Sequence, residues 1–118
     1  MITEDYVGFE VAKLLKEKGF DGICGTAYET ITNEHGVEQC SVSEWGKLGQ
    51  VKRPTLQMAM KWLREAHNID IIINVSSKNE RKYIYVIVSK WFIGTDNVKR
   101  TYEEACEAGI RYCLENLI

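Results

Sequence analysis

Apolar residues near the start of the chain recur at helical spacing. Val7, Val11, Leu14 and Leu15 fall at i, i+4, i+7 and i+8, the stripe of an amphipathic helix over residues 4–18. Thr3 suits its N-cap. Glu4 and Asp5 near its start and Lys13, Lys16 and Lys18 near its end complement the helix dipole. Gly19 is the expected C-terminal stop.

The pattern then changes. Residues 24–32 and 37–44 are rich in Thr, Tyr, Val and Ser, which favour strands. Asn33-Glu34-His35-Gly36 between them reads as a turn. His35-Gly36 as a central pair and a three-residue loop ending at Gly36 both fit, and they turn opposite faces of one strand toward the core. Residues 46–53 read as a loop. Pro54 then opens a helix over residues 54–67. Leu56, Ala59, Met60, Leu63 and His67 define one face, and Met58, Trp62 and Ala66 add an adjoining apolar one. So wide an apolar arc predicts a central helix or half of an interface.

Residues 69–75 alternate, with Ile69, Ile71, Ile73 and Val75 pointing one way. A strand over residues 81–89 carries Ile84, Val86 and Val88 on one face. A turn centred on Lys78-Asn79 pairs Ile73 with Ile84, Ile71 with Val86 and Ile69 with Val88. The opposite, mixed face holds Asp70, Ile72 and Asn74 beside Tyr83, Tyr85 and Ile87. Residues 94–100 read as a polar loop. Thr101-Tyr102-Glu103-Glu104 is a capping box, the Thr101 hydroxyl taking the Glu104 N–H and the Glu104 side chain reaching back. Tyr102, Ala105, Cys106, Gly109, Ile110, Cys113 and Leu117 line one face of the helix that follows, and its small residues allow close approach. The order α-β-β-α-β-β-α predicts a single α+β domain over residues 1–118. A mostly antiparallel four-stranded sheet is expected, with helices mainly on one face.

Composition narrows function more than fold. The 118 residues are 45% hydrophobic and 27% charged, ordinary for a globular domain. A net charge of −2 disfavours nucleic acid, whose binding draws on Lys and Arg. No apolar run reaches signal-peptide or membrane-span length, so a cytoplasmic protein that does not engage membranes is expected. Cys24, Cys40, Cys106 and Cys113 form no C-x-x-C pair and no zinc spacing with histidine. They read as reduced thiols, a Cys24–Cys40 bridge being the single disulfide the pattern allows. No metal or cofactor is expected.

No catalytic constellation emerges. The glycines of residues 19–25 precede a strand and lack the helix that a phosphate loop needs. His35 beside Glu34 lacks a nucleophile, and His67 suits a helix end. Glu4, Asp5, Glu103, Glu104 and Glu107 read as residues near helix starts. The aromatics are more suggestive. Tyr83, Tyr85 and Trp91, with Arg81 nearby, form a set that packs as core, meets a protein or stacks bases.

Residues 54–69, PTLQMAMKWLREAHNI, together with residues 101–118, TYEEACEAGIRYCLENLI, and the LLKEKGFD of the first helix, resemble a group of small proteins of gut Bacteroidales and their prophages. The resemblance covers the start, middle and end of the chain. That group has no assigned activity, cofactor or catalytic residues, so the resemblance implies a compact accessory protein in a bacterial or phage setting and transfers no chemistry.

The leading expectation is therefore a non-enzymatic module acting through a protein interface, as a homodimer or with another protein. Its candidate interface residues are Met58, Trp62, Ile72, Tyr83, Tyr85 and Ile87. The alternative is a nucleic-acid-associated accessory protein using Arg81 and Lys82 with the tyrosines. An enzyme assembled from His35, Glu34 and a cysteine is the weakest reading.

Overall fold

The computed structural model describes residues 2–77, 80–90 and 92–118, and within them the side chains other than those of residues 77 and 92–97. The elements are α1 (Phe9–Glu17), β1 (Thr26–Thr32), β2 (Glu38–Glu44), β3 (Val51–Lys52), α2 (Leu56–His67), β4 (Asp70–Ser77), β5 (Lys82–Val88), β6 (Phe92–Lys99) and α3 (Tyr102–Asn116). The α+β class and the rough element order stand. The four-stranded sheet does not: there are two three-stranded antiparallel sheets, ordered β2-β1-β3 and β4-β5-β6.

Two segments expected to be loops explain the split. Val51 and Lys52 pair with Tyr28 and Ala27, so β3 takes one edge of β1. Residues of β6 pair with β5 from Tyr83↔Lys99 to Val88↔Phe92 and take the free edge of β5. Each hairpin thus completes its own sheet with a neighbouring strand, and the two hairpins never meet edge to edge.

The first helix starts later than its periodicity suggests. Residues 6 and 7 run beside the entry to α2, where Tyr6 bridges Thr55 and the Val7 N–H donates to Pro54 O at 3.1 Å. Those backbone groups are committed, so α1 begins after Gly8, not at Thr3. The Gly8 N–H donates to Glu107 Oε1 of α3 at 2.8 Å, which places a carboxylate at a helix N-terminus where it is favourable. Gly19 adopts φ +86° just beyond α1, the left-handed geometry that ends a helix. Thr55 caps α2 by accepting the Met58 N–H at 3.1 Å, and Asn68 ends it in the left-handed region. At α3, Thr101 Oγ1 accepts from Glu104 N at 3.0 Å, while the Glu104 carboxylate reaches past Thr101 to the Arg100 N–H at 3.3 Å.

The first turn resolves as the three-residue loop. Asn33 and Val37 close it, Gly36 sits at φ +77°, and Asn33 Oδ1 accepts from both His35 N and Val37 N at 2.9 Å. Cys40 then faces Thr30 across the hairpin, far along β1 from Cys24. All four thiols are free, and register alone keeps Cys24 and Cys40 apart.

The core gathers Val7, Val11, Leu15, Leu56, Leu63, Ile69, Tyr85, Ile87, Ile110 and Leu114 around α3. α3 packs on the second sheet, and α1 and α2 pack against α3. A Cβ on Gly109 would lie 3.0 Å from Ile71 Cγ2 and 3.3 Å from Tyr85 Cγ, so glycine sets how closely α3 approaches the sheet. The first hairpin projects away. The radius of gyration is 15.5 Å, with extents of 47 × 32 × 29 Å, against about 13.5 Å for a compact chain of this length.

Candidate interaction surface

Parity along β4 and β5 divides the second sheet. Ile71 pairs with Ile87, Ile73 with Tyr85 and Val75 with Tyr83. Gly109 meets Ile71 and Tyr85, so this is the face beneath α3. The alternate positions, Asp70 with Val88, Ile72 with Val86 and Asn74 with Ile84, look away from α3, as does Val98 opposite Ile84. Ile72 is 46% and Val98 48% exposed, Ile84 and Val88 are half-buried, and Val86 is nearly covered by its neighbours. A strand with one solvated face alternates apolar and polar residues, whereas one covered on both faces reads as continuous hydrophobic residues. The Tyr83–Val88 stretch of β5 is of the second kind, with α3 on one side.

This register differs by one residue from the expected one. A bulge between Val75 and Ser77 inserts an extra residue before the turn, and Arg81 enters β5 with φ +48°. One residue of slip exchanges the faces of a strand. Tyr85 and Ile87, candidates for an interface, are 2% and 0% exposed and belong to the core. Ile84, Val86 and Val88, expected inside, form the outer face. Apolar residues on both faces of β5 hid the distinction from sequence reading. The expected turn centre, Lys78-Asn79, and Trp91 lie outside the described residues.

The remaining candidates scatter. Trp62 is half-buried between Phe20 and His67, its ring centroid 5.6 Å and 4.7 Å from theirs. Met58 is half-buried, with its Sδ 3.9 Å from the Cys24 thiol. The extra apolar face of α2 is therefore largely occupied by the chain between α1 and β1. Tyr83 is half-buried, edge-on to Tyr102 at 6.3 Å. Ile72 alone among the six lies on the outer face. Arg81 is exposed, and Lys82 Nζ sits 2.9 Å from Glu80 Oε2, which holds the Glu80 carboxyl below its usual range.

The groups considered for chemistry stay apart. His35 is exposed in the hairpin loop with Glu34 at 3.9 Å. Cys106 and Cys113 are buried in α3, where loss of hydration raises their pKa values to about 11 and about 12. Cys24 is raised too, by burial, although Lys52 opposes the shift. Gln50, 3% exposed, spends its amide on structure. Its Oε1 accepts from Gly46 N and Lys47 N at 2.8 Å, and its Nε2 donates to Ser43 Oγ and Glu44 O at 2.8 and 2.7 Å. Among the described residues no group of three His, Cys, Asp or Glu is placed to hold a metal, and no helix is long and apolar enough to cross a membrane.

Fold and surface together define a small α+β protein of two three-stranded sheets with a one-sided helical layer on the second. No family model matches this chain, and comparison with curated proteins and with solved structures finds no significant match.

Proposed function

We propose that this protein is a non-enzymatic binding module that presents the outer face of its second sheet to a second copy of itself. The observation that carries the reading is β5, apolar on both faces with α3 over only one of them. Ile72, Ile84, Val86, Val88 and Val98 offer a β-branched surface, and the charges among the described side chains of that face are Asp70 at one end and Lys82, paired with Glu80, at the other. Such a face is self-complementary, and two copies related by a two-fold axis bury it as a sheet-on-sheet contact. Three strands of about seven residues span roughly 14 by 24 Å, which suits a weak, concentration-dependent dimer. An accessory role of this kind fits the setting implied by the resemblance to small Bacteroidales and prophage proteins.

Light scattering over a concentration series tests the reading. The expected result is a mass that rises toward the dimer, and its loss in Ile72→Glu, a change at a side chain exposed enough to leave the fold intact. A monomer at every concentration overturns it. The nucleic-acid alternative draws no support here, because Tyr85 is buried and Lys82 is engaged by Glu80.

A further inference from the structure

We infer that the cleft beside Arg53 is a binding site for a carboxylate carried on a short apolar group. The site lies at the base of the first sheet and is independent of the outer face of the second. Arg53 is fixed through its backbone: its N–H donates to Thr26 O at 3.0 Å, and Thr26 Oγ1 donates to Arg53 O at 3.4 Å. The centre of its guanidinium lies 3.9 Å from the Tyr6 ring centroid and 5.6 Å from that of Tyr28. The Tyr28 ring is held in turn, and Tyr6 is held through its backbone. Tyr6 bridges Thr55, and the Tyr28 hydroxyl donates to Val7 O.

The cation is positioned but scarcely used. Among the described residues no carboxylate lies within 4.0 Å of it. Nη1 reaches Thr26 Oγ1 at 3.5 Å, the long limit of a hydrogen bond, and Nε is buried with no partner. Nε is closed to solvent, so a guanidinium held against aromatic rings with no carboxylate beside it is prepared to meet a planar two-oxygen acceptor through its Nη groups. The cleft it lines has a volume of about 230 Å3, and Ile23, Cys24, Pro54 and Met58 give it apolar walls. That is room for roughly eight groups the size of water at ~30 Å3 each. One cation with apolar walls selects a singly charged carboxylate with an aliphatic tail over a dianionic phosphate. The source is either a free aliphatic acid or the carboxyl end of a peptide with an apolar last residue.

Amide NMR titration of the whole chain decides this. The probes are 4-methylpentanoate, its amide, and a tripeptide ending in leucine as free acid and as C-terminal amide. The expected result is saturable shifts at Thr26, Cys24, Gly25 and Met58 with the acids and none with the amides. Arg53→Lys, which loses the two-pronged geometry, is expected to weaken binding about tenfold. Ile23→Asp is the second variant, at a side chain 90% exposed whose change spares the fold. It places a repelling charge at the cleft and is expected to abolish the shifts. A free-acid tripeptide binding tighter than 4-methylpentanoate identifies a chain terminus as the source, and equal binding identifies a small acid. Absence of shifts at these residues, equal binding of the amides, or wild-type binding by Ile23→Asp overturns the proposal.

Discussion

The two sheets contain the same number of strands and sit in unlike surroundings. In the central strand of the first, Ala27 is buried, Tyr28 and Glu29 are half-buried, and Thr30, Ile31 and Thr32 are exposed. In the central strand of the second, Tyr85, Val86 and Ile87 are buried in succession. The difference comes from α3, which lies across the second sheet, while the first touches the core only at its base through Ala27, Tyr28 and Val51. Strand pairing alone does not make a rigid element; a two-stranded ribbon is marginal until a face is covered. The distal hairpin also carries Glu29, Glu34, Glu38 and Glu44 with no lysine or arginine between Thr26 and Glu44. Of these, Glu38 and Glu44 lie on the edge strand β2, and like charge along an exposed edge disfavours edge-to-edge pairing.

The sharpest test of this contrast removes the same side chain from each sheet. Ile87→Ala, at a fully buried site, is expected to destabilise the fold by about 3 kcal/mol in urea unfolding. Ile31→Ala, at a side chain 53% exposed, is expected to change stability by less than about 0.5 kcal/mol. Equal losses would break the comparison. Gly109→Ala comes next. The added methyl must displace Ile71 or Tyr85, and the expected net loss is about 1 kcal/mol after the gain in helix propensity is set against it. A neutral or stabilising result would mean that α3 does not need its close seat on the sheet.

At neutral pH the smallest effect is ionic. Cys106 and Cys113 are neutral there in both folded and unfolded chains, so burial of the thiols is tolerated in full. Their folded pKa values lie above the ordinary value of 9.0, at about 11 and about 12. Stability is therefore expected to fall as pH rises from 9 through that range, because the unfolded chain ionises first. Urea titrations at successive alkaline pH values read this slope. In the native protein at mildly alkaline pH a thiol reagent is expected to label exposed Cys40 rapidly and the two α3 thiols only after unfolding. Fast labelling of all three would remove α3 from its buried place in the second layer.

Much of the local structure was legible because local groups make it. Thr101 and Glu104 lie within one helical turn, Gly19 ends α1 through its own backbone freedom, and Asn33 with Gly36 closes the first turn through side-chain acceptance over two to four residues. The candidate surface was less legible. Ile72 lies on the outer face, while Tyr85 and Ile87, expected beside it, are buried beneath α3, because β5 is apolar on both faces and its register turns on a single bulged residue. Arg53 carries no sequence signal at all; Tyr6 and Tyr28 reach it only after the chain has folded.

By itself, then, the sequence determined the three helices, the two hairpins and where most of them end, since each depends on hydrophobic spacing or on hydrogen bonds between near neighbours. Only the tertiary structure decided what lies between distant segments. It recruited β3 and β6 to separate the hairpins into two sheets, and brought Glu107 to the start of α1 across 99 positions. It also chose which face of β5 lies beneath α3. Those outcomes depend on competition among many apolar surfaces for one buried space, and periodicity within a strand does not record who wins it.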